Sequence, residues 1–140
     1  MTIRDQIVAE AQSWLGTAWH DQADVKGAGV DCAMLLCRVF VDLGLIPPFD
    51  PRPYPRHHYL HRSEELFLGW VQKYGNPVDS PLPGDVALFS FGRSVGHGAI
   101  VVDHGLIIHA WEQTGRVELT EIRSLEERLH SFWSVLPEGQ

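Results

Sequence analysis

Three residues of this chain have the types and the order that nucleophilic chemistry needs: Cys32, His97 and His109. Cys32 directly follows Asp31, where a glycine-containing, turn-like stretch (residues 25–30) gives way to a strongly apolar segment. The first turn of a helix carries unpaired N–H groups that favour an anion. A thiol placed there is therefore expected to ionise more readily than a free cysteine near pKa ~8.5. Imidazole is the side chain that exchanges protons near neutral pH. A helix-capping thiol with two histidines in a distant strand-like region forms a nucleophile, base and orienter set. In that scheme Cys32 attacks a carbonyl carbon, and His97 takes the thiol proton and later protonates the leaving amine. His109 orients His97, and N–H groups at the helix start meet the oxyanion. The same three residue types are legitimate zinc ligands, so a Zn²⁺ site on Cys32, His97 and His109 is the competing chemistry. Cys37, deep in the same apolar segment, lacks that advantage, and the plain alternative for Cys32 is a small core residue. Five residues along a helix separate the two sulfurs by ~140° around its axis, so both cysteines are expected to be thiols.

The histidines must share a face to act together, and hairpin geometry decides whether they do. If residues 103–105 form a three-residue loop with Gly105 left-handed, Val102 pairs with Leu106. That register sets Ala99 opposite His109 and His97 opposite Trp111, which makes the two imidazoles diagonal neighbours on one face. A two-residue loop puts them on opposite faces and removes the pairing.

The elements that must position these groups follow from periodicity and caps. Thr2 with Asp5 starts a first helix whose apolar positions run from Ile3 to Leu15, with Gly16 as the stop. Residues 17–30 lack periodicity and are expected to be a loop. A second helix spans residues 32–43, with Asp31 as N-cap and Gly44 just past its end; it is apolar enough to be the central helix. Five of the nine prolines lie between Pro47 and Pro55, which excludes helix and central strand there. A third helix is expected from Ser63 to Gly75. Short β-branched and aromatic runs then fall at 86–91, 98–102, 106–111, 117–120 and 132–136, with a helical turn near Ser124. Helices first and antiparallel strands second make an α+β fold.

With 140 residues, the chain is expected to be one domain, 1–140. Its formal charge of −7 argues against a non-specific nucleic-acid or anionic-membrane surface. No basic segment followed by an apolar run and a cleavage site precedes the first helix, and the longest purely hydrophobic run is far too short to span a bilayer. The expectation is a protein made in the bacterial cytoplasm with no leader or anchor. Residues 52–62 form a basic-aromatic patch suited to a carboxylate-bearing peptide or a protein partner, or a proline-braced loop packing over the sheet.

Taken in order, Gly16-Thr17-Ala18-Trp19, Asp31-Cys32, the run from Pro83-Gly84-Asp85 to Phe89, Gly96-His97 and Ile108-His109-Ala110 resemble the NlpC-type cell-wall peptidases. The match covers roughly residues 3–136, and the lack of a leader with the loop around Lys26 to Gly29 looks most like the phage-tail branch. The resemblance implies a papain-like fold and cleavage of an amide in peptidoglycan stem peptides by Cys32, His97 and His109, with no cofactor and no metal. It also implies substrate-binding roles for Asp31, which would meet the free amine of the stem peptide, and for Trp19. Partners would be the peptidoglycan peptide and other phage tail proteins, in a phage or prophage tail. Two departures stand out: Ala33-Met34 follow Cys32 where Ser-Gly is usual, and Gly98 follows His97 where a larger apolar residue is typical. Two other readings compete: a tail-assembly or structural component with little turnover, and a related amide or thioester hydrolase acting outside the wall.

Overall fold

The computed structural model describes residues 1–54, 66–92, 94–103, 105–137 and 140. The expected start of the third helix at Ser63 lies outside them. So do Arg56, His57, His58, Tyr59, His61 and Arg62 of the basic-aromatic patch.

Helix α1 (Ile3–Gln12) starts at the expected cap: the Thr2 hydroxyl accepts from the Asp5 N–H while the Asp5 carboxylate accepts from the Thr2 N–H. It ends three residues earlier than the apolar spacing suggests, and Trp14 still reaches the core from the following turn. The segment expected to be a loop contains a small hairpin, β1 (Asp24–Val25) and β2 (Gly29–Val30), turned by the left-handed Gly27. Two-residue strands carry no alternation to read, which is why the pattern missed them.

Helix α2 (Cys32–Asp42) has its expected ends, with Asp31 as N-cap and Gly44 at φ +73 just beyond the Leu43 cap. Seven of its side chains, from Ala33 to Phe40, are buried, and it packs on α1 and on the strand Ser94–Asp103. Helix α3 (Leu66–Tyr74) follows.

The second half is one six-stranded antiparallel sheet, made of β3 (Asn76–Val78), β4 (Val86–Phe91), β5 (Ser94–Asp103), β6 (Leu106–Trp111), β7 (Arg116–Glu121) and β8 (Leu129–Ser134). Its strand order is β3-β8-β4-β5-β6-β7. Strand β3 was not expected; it contains Pro77 and is an edge strand, where a missing N–H is tolerated. Ser124 sits in a 3₁₀ helix, Ile122–Arg128. The α+β class and the helices-then-sheet order stand. Alternate strand residues face the helices (Val86, Leu88, Ile100, Ile108, Ala110) or a second cluster across the sheet (Ala87, Phe89, Ala99, Val101, Ile107).

The Pro83-Gly84-Asp85 motif ties α1 to the start of the sheet. Gly84 is left-handed (φ +94), and a Cβ there would stand 3.1 Å from the Ile7 side chain on α1. Buried Asp85 pairs with Arg4 of α1 at 2.8 Å and accepts from the Leu82 N–H at 2.8 Å. Among the described residues, no helix is long and apolar enough to cross a membrane.

Candidate active site

The β5–β6 register is the one that brings the histidines together, although the loop is not the expected one. Asp103 pairs with Leu106, a tighter connection than a three-residue loop. A register shift between Val101 and Asp103 absorbs the difference, so Val101 pairs with Ile107 and Ile100 with Ile108, as the longer loop would have required. Gly105 is left-handed, φ +71. His97 Nε2 and His109 Nδ1 consequently lie 2.8 Å apart, and both rings are buried. A second irregularity, between Phe89 and Ser90, sits beside His97 at the mouth of the β4–β5 pair.

Cys32, His97, Asp31 and Trp19 line one open cleft of ≈ 530 Å³, together with Asp21, Tyr54, Phe91, Trp111 and Glu112. His109 lies behind His97 rather than in the wall. Phe91 and Trp111 hold the His97 ring at centroid distances of 6.0 and 5.0 Å, so its orientation is set by packing as well as by His109. The His109 bond engages Nε2 of His97; Nδ1 is the nitrogen left for an incoming proton. No hydrogen bond between the Cys32 sulfur and either imidazole is among those of the described residues. Nor do the described residues contain a group of three or more His, Cys, Asp and Glu placed to hold a metal ion.

Asp31 organises the turn that carries Cys32. One of its carboxylate oxygens accepts from the Met34 N–H at 2.9 Å, and its carbonyl accepts from the Leu35 N–H at 3.0 Å. The backbone N–H groups of Ala33, Gly98 and Cys32 itself favour a negative charge on the sulfur. The other Asp31 oxygen accepts from the Gln22 N–H at 2.7 Å and from the Tyr54 hydroxyl at 2.5 Å. Burial raises the Asp31 pKa against these hydrogen bonds, and burial with the neighbouring carboxylate keeps the Tyr54 phenol protonated.

Gln22 and Tyr54 went unnoticed in the sequence. Gln22 holds a left-handed backbone (φ 59) that a non-glycine residue adopts at a cost of about 1 kcal/mol or more. That conformation presents its N–H to Asp31. Its side chain donates to the Tyr54 carbonyl at 3.0 Å, and its own carbonyl accepts from Arg52 at 3.0 Å. Nothing in a glutamine between two loop residues signals this; the proline-braced loop is what delivers Tyr54 and Arg52.

No protein-family model matches the chain, and no curated protein matches it. Solved structures do. NlpC2 from Trichomonas vaginalis superposes with a TM-score of 0.70 at 18% identity, over 94% of this chain and 46% of that one. The NlpC/p60 domain of the peptidoglycan hydrolase SagA gives a TM-score of 0.64 at 18% identity, over 94% and 97% of the two chains. RipD from Mycobacterium tuberculosis, described as a non-catalytic NlpC/p60 domain protein adapted to peptidoglycan binding, gives 0.59 at 15% identity over 96% and 97%. The chain has the NlpC/p60 fold. It spans 45% and 46% of the two Trichomonas vaginalis structures that it matches.

Within that fold, one expectation about Cys32 is reversed. The helix start was expected to lower the thiol pKa of Cys32; instead burial, and then the charge of Asp31, push it up. The N–H groups of Ala33, Gly98 and Cys32 act in the expected direction but are outweighed. Burial also lowers His97 well below the ordinary imidazole value, with His109 adding to it, and lowers His109 to about 4. Burial thus works against an ion pair and favours a neutral thiol beside neutral imidazoles.

The Gly98 departure has a packing reason. A Cβ at 98 would lie 2.7 Å from Leu36 Cδ1 and 3.0 Å from Phe67 Cε1. Phe67 of α3, itself buried, fills the volume that a larger residue after His97 would occupy.

Proposed function

We propose that this protein is a cysteine hydrolase that cleaves an amide bond in peptidoglycan stem peptides. One observation carries the reading: Cys32 and His97 line the same cleft, with His97 tied through Nε2 to His109. The NlpC/p60 fold and a neighbour named as a peptidoglycan hydrolase support the substrate class. In the reaction, the Cys32 S–H gives its proton to His97 Nδ1 as sulfur bonds to the carbonyl carbon. The oxyanion forms against the N–H groups of the first turn of α2. The C–N bond then breaks, and His97 returns the proton to the leaving amine. Water hydrolyses the thioester by the same base, and the carboxylate product leaves the thiol restored. A thiol neutral at rest requires proton transfer to accompany attack. Asp31, already engaged by three donors, shapes the site; Asp21 and Glu112 add carboxylates for the amine end of a stem peptide. Trp19 supplies an apolar rim. A phage or prophage tail is the setting that the sequence resemblance supports, with other tail proteins as partners.

The test is digestion of purified sacculi followed by mass spectrometry of the released muropeptides. Wild-type protein is expected to generate new amino termini, and Cys32→Ser to lower the rate by at least ~10³-fold. Release by Cys32→Ser at the wild-type rate refutes the assignment. A second reading, wall binding without turnover, is favoured by the resting protonated thiol and its lack of a bond to either imidazole. It predicts that wild-type protein pelleted with sacculi releases no new termini.

A further inference from the structure

We propose that Glu118, acting through Thr120, fixes the direction of hydrogen bonding along the histidine pair and so keeps the lone pair of His97 on Nδ1. Neither residue has a role in the chemistry so far described. Strand β7 pairs with β6 so that Glu118 stands directly opposite His109, and Thr120, two residues on, projects from the same face. His109 Nε2 lies 3.3 Å from the Thr120 hydroxyl and 3.9 Å from a Glu118 oxygen, and the same hydroxyl lies 3.4 Å from that oxygen. With the 2.8 Å contact between the rings, this is one continuous chain from β7 through β6 to β5.

A carboxylate accepts and cannot donate, so it sets the sense of everything joined to it. The Thr120 hydroxyl points its hydrogen at Glu118 and accepts from Nε2–H of His109. His109 then carries its lone pair on Nδ1 and must receive Nε2–H from His97. His97 is left unprotonated at Nδ1, the form a general base needs. Without Glu118 the hydroxyl is free to turn and donate to His109, and the chain runs the other way. His97 then holds its proton on Nδ1 and cannot take another from the thiol there. Because both rings are neutral at rest, the tautomer rather than the charge decides whether the base is ready. Glu118 and Thr120 are positioning residues: they touch neither substrate nor sulfur, and they act through His109.

The catalytic consequence rests on the hydrolase reading, but the tautomers do not, and they are measured first. In full-length protein with ¹⁵N-labelled histidine, long-range ¹H–¹⁵N correlation at neutral pH is expected to show His97 and His109 both as Nε2–H. Glu118→Gln and the near-isosteric Thr120→Val should each introduce the Nδ1–H form. His97 found as Nδ1–H in the wild type, or tautomers unchanged in both variants, overturns the inference. In the sacculus assay both variants should lose about tenfold in kcat/KM at unchanged KM, less than the loss on altering a group bonded directly to a base. Thr120→Ser recovers the rate, and Leu119→Thr, an exposed neighbour on β7, matches wild type. The expected tautomers without turnover sink the hydrolase reading and leave the relay standing; turnover with insensitive tautomers sinks the relay alone.

Discussion

Helix α2 carries two thiols five residues apart, and its first turn and its middle treat them differently. Burial pushes both up, Cys37 to about 11. Cys37 donates weakly to the Phe49 carbonyl at 3.5 Å and lines an apolar pocket with Leu36, Phe40 and Trp70. Cys32 opens on a cleft that it shares with His97, Asp21 and Glu112. At the helix start the N–H groups lower the Cys32 value, but desolvation of the sulfur outweighs them. What distinguishes Cys32 is the open cleft that it lines together with the His97 imidazole.

Removing each thiol gives the largest contrast. Cys32→Ala should abolish sacculus hydrolysis by ~10³-fold or more, while Cys37→Ala keeps it within about threefold and costs about 1 kcal/mol of stability. Comparable losses of activity would erase the distinction. Alkylation sharpens it further: at neutral pH, iodoacetamide should modify Cys32 more slowly than free cysteine, with the rate climbing through the alkaline range. Faster reaction than free cysteine at pH 7 would mean a resting ion pair.

The base side has its own signature in stability. His109 titrates at about 4 in the folded protein against an ordinary 6.5, so the unfolded chain takes the proton first. Its contribution is complete above the ordinary value, is lost as pH falls toward 4, and levels off below. The loss is up to about 3 kcal/mol, and His97 adds in the same direction. Urea unfolding between pH 7 and pH 4 measures it, and His109→Gln should flatten the decline.

Around the sulfur, Gly98→Val should cost about 2 kcal/mol by overpacking against Leu36 and Phe67, with Phe67→Leu in the same chain restoring part of it. A neutral Gly98→Val would mean that Phe67 does not fill that space. Smallest is Tyr54→Phe, which removes one donor from Asp31 and should cost about 1 kcal/mol, read as a lower thermal midpoint.

Much of the scaffold was legible because its signals are local. Thr2 with Asp5, Asp31 and Gly44 mark helix ends through side-chain caps and a left-handed residue, and β4 and β6 have the expected bounds because short β-branched runs sit between turn residues. The catalytic candidates were legible as types in an order. Their meeting was conditional on a register that the loop length alone would have spoiled, and a strand irregularity near Val102 supplied it.

The amino-acid sequence by itself determined which groups could react and which elements would carry them, since caps, periodicity and turn residues act over a few positions. Only the tertiary structure decided the ionisation of Cys32, the fit of Phe67 against Gly98, the Gln22–Tyr54 grip on Asp31 and the chain from Glu118 to His97. Each depends on burial or on contacts between residues far apart in sequence, and desolvation and hydrogen-bond direction exist only once those surfaces have met.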